Sequence, residues 1–269
     1  LFSKLPAGVI WSHRELIWDL TRRELSQRYR GSFLGALWSL VIPLVMLLIY
    51  TFVFGVVFKA RWQDLNQDLP PQEFALILFS GLAAFNVFSE VVNQAPNLIV
   101  THPNYVKKVI FPLEILPIVT LLVALVNSLI MVVLILVGTL IIRGTISGTI
   151  YLLPLAYLPL IFLSLALSWF LSSLGVYIRD IGQGISVFVQ VLFFLSPIFY
   201  PLEAVPGRLR IILGASPLST IVDGFRSVLL LGNPLPWAAW ALWTLFTLLA
   251  AWLAFIWFAK TKKGFADVL

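Results

Sequence analysis

The sequence predicts an all-α polytopic membrane protein: six transmembrane helices, an N-terminal interfacial helix, and a re-entrant outer hairpin between the fifth and sixth spans. Three observations predict it. The 269 residues are 60% hydrophobic and 11% charged, with a mean hydropathy of +0.99, whereas about a quarter of the residues of a soluble domain carry charge. Uncharged runs recur at lengths that cross a hydrocarbon core of roughly 30 Å. One apolar stretch, residues 201 to 235, is cut by proline and glycine into pieces too short to cross.

The first 32 residues mix charges throughout, so no secretory signal peptide is expected. Within them, Trp11, Trp18, Leu25 and Tyr29 fall within about 40° of one another on a helix. That seam suits a helix lying in the membrane interface, with the flanking Arg14 and Arg22 reaching up to lipid phosphates. A helix packing on a soluble partner fits the same pattern; the interfacial reading is preferred.

The spans follow. Phe33 to Phe58 is free of charge until Lys59, and as a helix it would measure about 39 Å. Further uncharged runs place the predicted spans at 34 to 58, 74 to 94, 114 to 141, 150 to 177, 182 to 200 and 236 to 258. An even number of crossings puts both ends on one side. Twelve of the 18 Lys and Arg residues fall on that side, against Lys59, Arg61, Arg143, Arg208, Arg210 and Arg226 on the other. Such an excess marks the cytoplasmic face. The whole of 1 to 269 thus reads as one transmembrane domain: an amphipathic segment at 1 to 32, the helical region at 34 to 258, and the hairpin at 201 to 235.

Two connections lie on the predicted cytoplasmic side. Residues 95 to 112 hold Pro96, His102, Pro103, Lys107, Lys108 and Pro112, a loop that either connects or offers a short helix to a soluble partner. The turn Arg179-Asp180-Ile181-Gly182 is shorter. On the other side, Ser216 before Pro217 makes an N-cap and first-turn pair, so a helix from about 217 to 230 is predicted. Two short helices that enter the outer leaflet and return fit the punctuation; two interfacial surface helices are the alternative.

Several functions are excluded. Cysteine is absent and the only two histidines, His13 and His102, are far apart, so no metal or cofactor site is expected on this chain. No G-x-x-x-x-G-K-[ST] run occurs, so any ATP-driven work belongs to a partner. Neither H-E-x-x-H nor G-x-S-x-G appears, and the spans hold no carboxylate cluster; an enzyme is not expected. The net charge of +6 suits anionic lipid better than nucleic acid, because the basic residues sit between apolar spans. Apart from Glu114 at the first position of the third span, Glu90 is the single carboxylate inside a predicted span, with Asn93 one turn away. It either meets substrate or reaches interfacial water, the second being preferred. The aromatics of the first and fifth spans are read mainly as membrane-interface belt, with a subset able to line a passage for flat sugar rings.

The run Arg28-Tyr29-Arg30-Gly31-Ser32-Phe33-Leu34-Gly35-Ala36-Leu37-Trp38-Ser39-Leu40-Val41-Ile42-Pro43 resembles the signature of ABC-2 type polysaccharide export permeases, the membrane subunits of O-antigen, capsule and teichoic acid exporters. The likeness continues in Tyr177-x-Arg179-Asp180 after the fourth span and in the proline-punctuated hairpin before the sixth. In this run Arg28 and Arg30 would sit at lipid phosphates, Ser32 would cap a helix, and Gly31 with Gly35 would permit close backbone approach. The resemblance implies a homodimer with an axial passage in the bacterial plasma (inner) membrane. It also implies two cytoplasmic ATPase subunits, which hold ATP and Mg and dock on residues 95 to 112 and 178 to 184. The implied cargo is a lipid-linked polysaccharide, O-antigen first, moved outward, with the 201 to 235 hairpin forming part of an outer gate. Passage candidates are Arg28, Arg30, Trp38, Tyr50, Phe54, Glu90, Phe193, Phe199 and Tyr200; coupling candidates are His102, Asn104, Lys107, Lys108, Arg179 and Asp180. Export of capsule, teichoic acid or a small lipid or drug is the nearest alternative.

Overall fold

A computed structural model describes residues 6–28, 35–57, 70–107 and 111–269. Among these, all regular structure is helical. Two short helices come first, α1 (Pro6–Ser12) and α2 (Arg14–Arg28). Helix α3 (Trp38–Tyr50) is preceded by a 3-10 turn at Gly35–Leu37 and runs on as a wider π-helical stretch, Thr51–Val57. Then come α4 (Pro71–Gln94), α5 (Pro103–Lys107), α6 (Leu116–Arg143), α7 (Leu153–Tyr177) and α8 (Ile181–Leu195). Helices α9 (Gly207–Gly214), α10 (Pro217–Arg226), α11 (Trp237–Thr261) and α12 (Phe265–Val268) complete the chain.

Four of these regions are long and apolar enough to cross a membrane: Gln72–Asn97, Leu113–Arg143, Gly148–Tyr177 and Trp237–Val268. Two shorter apolar helices, Trp38–Val53 and Ile181–Leu195, correspond to the first and fifth predicted spans. The fifth is shorter than its predicted 182 to 200 for a local reason. Ser196 precedes Pro197 and takes an extended ψ of 144°, because the proline ring disfavours helical backbone in the residue before it.

Contacts at the helix ends fix the topology. Arg143, closing α6, donates to Glu73 at the start of α4 (2.8 Å), so these two helices are antiparallel. At the same end Arg143 donates to the Leu230 carbonyl (2.5 Å) and Thr149 to that of Val228 (2.9 Å). Helices α7 and α11 are parallel: Trp240 donates to the Leu155 carbonyl near their starts, and Ser173 meets Thr261 near their ends. One face of the bundle therefore carries α1, α2, α5 and α12, and the other carries α9, the start of α4 and the loops before α7 and α11.

Helix α4 is the axis of the core. Of its apolar window 83% is buried, against 22% for α11, so α4 is packed mostly against protein while α11 leaves most of its surface open. Small residues recur along α7 at Ser164, Ser168, Ser172 and Gly175, all buried. At Gly175 the approach is so close that an added Cβ would lie 1.9 Å from the Pro96 carbonyl oxygen. At Gly35 nothing among the described residues lies within 4 Å of a Cβ position, and the φ of +53° requires glycine.

The helix predicted after Pro217 is present as α10 and the π turn Ser227–Leu231, although the Ser216 side chain makes no capping hydrogen bond. Helix α10 is buried on most of its surface among α4 and α7, while α9 is exposed.

Candidate functional site

Between Phe74 and Leu98, the residues that are not buried are Asn86, Ser89, Glu90, Asn93, Gln94 and Asn97, and every one is polar. Their spacing of three and four confines them to one side of α4, a strip about 16 Å long. Lipid cannot face such a strip, because each unsatisfied polar group in hydrocarbon costs several kcal/mol. It must face water or a polar surface.

Three cavities open onto the strip. The first, about 540 Å³, lies between α2 and the end of α4 and is lined by Arg23, Glu24, Gln27, Asn93, Asn97 and His102 among others. A second of about 350 Å³ has Trp38, Ser39 and Pro43 of α3 facing Asn86, Ser89, Glu90 and Asn127. On the other flank, about 300 Å³ separates Asn86, Ser89 and Asn93 from Ser186, Gln190 and Phe193 of α8. Asn93 lines the first and third, and Asn86 and Ser89 line the second and third, so the three adjoin along a polar track whose first cavity lies at the α2 face.

The only carboxylate on the strip is matched by a cation. Glu90 is ion-paired with Arg28 through Oε1, which also accepts from Gln94 (3.5 Å), and its Oε2 accepts from Asn127 (3.2 Å). Arg28, expected at lipid phosphates, is held instead by this carboxylate, and Glu90 reaches a protein cation rather than interfacial water alone. Nearby, burial pushes the Glu24 carboxyl up from its ordinary 4.5; Arg28 and His102 pull it down, and Glu90 adds a smaller push up.

Toward the opposite face the track ends under aromatic rings. Phe193 packs on Phe85 (5.2 Å between centroids) and Phe199 (5.0 Å), and Phe199 meets Tyr50 (6.4 Å). The structure thus unites Arg28, Trp38 and Glu90 in one cluster and Tyr50, Phe193 and Phe199 in another. Tyr200 stays with the end of α8, donating to the carbonyls of Phe194 (3.2 Å) and Leu195 (2.9 Å). Arg30 and the side chain of Phe54 lie outside the described residues.

The coupling candidates gather on the α2 face. His102 bonds to the Leu98 carbonyl (2.9 Å) and stacks on Tyr105, which stacks on Phe111. Asn104, Arg179 and Asp180 are exposed; Lys107 closes α5, and its side chain and Lys108 lie outside the described residues. The start of α8 sits against the turn at 95–97, since a Cβ on Gly182 would be 3.5 Å from Asn97 Nδ2. The two loops are therefore neighbours. Among the described residues, no group of three or more His, Cys, Asp or Glu side chains is placed to hold a metal ion.

Residues 15–230 match the family model of the ABC-2 type transporter. The chain belongs to that family. It is 28% identical over 221 residues to the O-antigen export system permease protein RfbA of Myxococcus xanthus, covering 81% of this chain and 82% of that protein. A Klebsiella pneumoniae protein of the same description is 23% identical over 220 residues, with 81% and 82% covered. The polysialic acid transport protein KpsM of Escherichia coli is 24% identical over 213 residues, with 78% and 79% covered. In this ABC-2 chain the matched stretch takes in the polar strip, the aromatic cluster and α10.

The sequence reading found the aromatics, Glu90 and Asn93 but passed over Asn86, Ser89, Gln94 and Asn97, and Asn127, Ser186 and Gln190 on α6 and α8. The first four had an available signal: with Glu90 and Asn93 they make six polar positions on one side of an otherwise apolar run.

Proposed function

We propose that the chain is the permease subunit of an ATP-driven exporter that carries lipid-linked polysaccharide, O-antigen first among the candidates, outward across the bacterial inner membrane. The observation that carries this reading is the strip on α4, taken with the relatives' roles in polysaccharide transport. Amides and hydroxyls both donate and accept, so they can exchange hydrogen bonds with successive sugar hydroxyls without gripping any one. Glu90, matched by Arg28, leaves the track without a net charge of its own. The Phe193 cluster at its head offers ring faces on which sugars can slide.

Six crossings complete the proposed topology. Helix α3 with its π-helical extension and α8 with the segment after Ser196 make the two shorter ones, and both ends of the sequence lie in the cytoplasm. Helices α9 and α10 form a re-entrant outer hairpin over the track. Two copies of the chain flank one passage, and two ATPase subunits, holding ATP and Mg, dock on the neighbouring loops at 95–112 and 178–184. Their closure biases the permease between inward-open and outward-open states only through contacts that differ between the two.

The test is reconstitution of the permease with the ATPase subunit that co-purifies with it. ATP hydrolysis is expected to rise when lipid-linked glycan is added. Stimulation by small amphiphiles alone, with glycan inert, would overturn the reading.

A further inference from the structure

Past Leu195 the chain leaves helical geometry, and Ser196 to Tyr200 form a bend that carries Phe199 into the aromatic cluster. A non-helical bend leaves carbonyls without the partners a helix would supply, and at membrane depth each needs a donor. One side chain supplies them. Arg226, closing α10 and only 3% exposed, donates from Nη2 to the carbonyls of Pro197 (2.9 Å) and Ile198 (3.4 Å). Its Nη1 meets Asp223 one turn back on the same helix (3.0 Å). The guanidinium is thus fastened to α10 through Asp223 while reaching across to a different segment. Its planar fork suits this double duty, which an ammonium on a flexible stem does poorly.

The third wall of this junction is α4. A Cβ on Gly81 would lie 3.2 Å from Val222 Cγ1, 3.5 Å from Ile198 Cγ2 and 3.6 Å from Arg226 Nη2. The junction therefore stands just beyond the end of the polar strip at Asn86, where the aromatic cluster closes it.

We propose that Arg226 is a positioning residue for transport: it ties α10 to the backbone that carries Phe199, so that the hairpin and the aromatic closure of the track move as one piece. This rests on the track being the passage. When α10 is in place, the Pro197 and Ile198 carbonyls are held and Phe199 stays over the track. Displacing α10 withdraws the bend with it.

Because the chain contains no cysteine, a single Asn86→Cys substitution gives a clean reporter beneath the closure. A membrane-impermeant maleimide is applied from either face of vesicles holding the permease with its ATPase and no nucleotide. With Arg226 intact, labelling is expected from the α2 face and slow labelling from the hairpin face. Arg226→Met is expected to raise the hairpin-face rate about tenfold, and Arg226→Lys by less, since it keeps the charge but not the fork. Rates unchanged in both variants would overturn the linkage while leaving the passage intact. No labelling from the α2 face would instead overturn the passage, and the linkage with it. If Arg226→Met fails to accumulate in the membrane, the Arg226→Lys rate stands as the test, and an unchanged rate there overturns the proposal.

Discussion

Arg28 and Glu90 are 62 residues apart in sequence and meet beside a cavity, both with most of their side-chain surface covered. Removing Arg28 leaves the Glu90 carboxylate, about four-fifths covered, without its cation, so Arg28→Met should destabilise the folded permease by about 2 kcal/mol. Thermal unfolding in detergent measures this, and the double variant Arg28→Met/Glu90→Met should recover most of the loss. Glu24 gives a pH signature. Its carboxyl holds its proton more tightly folded than unfolded, so its contribution to stability falls as pH rises from about 4.5 toward the raised folded value and is flat above it. Glu24→Gln should remove that slope, and unfolding temperatures measured between acid and neutral pH would show it.

Helix packing sets the next scale. The carbonyl of Pro96 occupies the space where a side chain on Gly175 would begin, so Gly175→Ala must force α7 away from the turn at 95–97. A loss of about 3 kcal/mol is expected. Gly184 in α8 has nothing within 4 Å of a Cβ position among the described residues, and there Gly184→Ala should be neutral or stabilise by up to about 1 kcal/mol. Comparing the two unfolding midpoints separates close approach from helix propensity. At this scale much was legible in the sequence, because uncharged run lengths locate α4, α6, α7 and α11 to within a few residues. What the runs could not show is that Pro197 ends α8 early, or that α10 is buried against α4 and α7 rather than laid on a surface. Those outcomes depend on neighbours distant in sequence, and Arg226, counted simply as a cation outside the spans, hides its role for the same reason.

In the whole molecule, the side of α4 that remains open is the polar one, and the rest of its apolar length is sealed by neighbouring helices. Charge-based reading overlooked it because amides and hydroxyls lower hydropathy too little to interrupt a span, yet their common side is what gives a buried helix one polar wall. The α2 face of that track lies beside the adjoining loops at 95–97 and 178–182, so a partner pressing on both loops would act directly on the track's mouth. Replacing Asp180 by Lys, at an exposed site with no capping bond, should lower glycan-stimulated ATP hydrolysis about tenfold while membrane insertion is retained. The central claim is that the strip faces water, and a cysteine scan of α4 from 86 to 97 in this naturally cysteine-free chain tests it most directly. Positions 86, 89, 93 and 97 are predicted to react with a water-soluble maleimide, with 87, 88, 91 and 92 silent; uniform silence, or reactivity without that helical repeat, would contradict it.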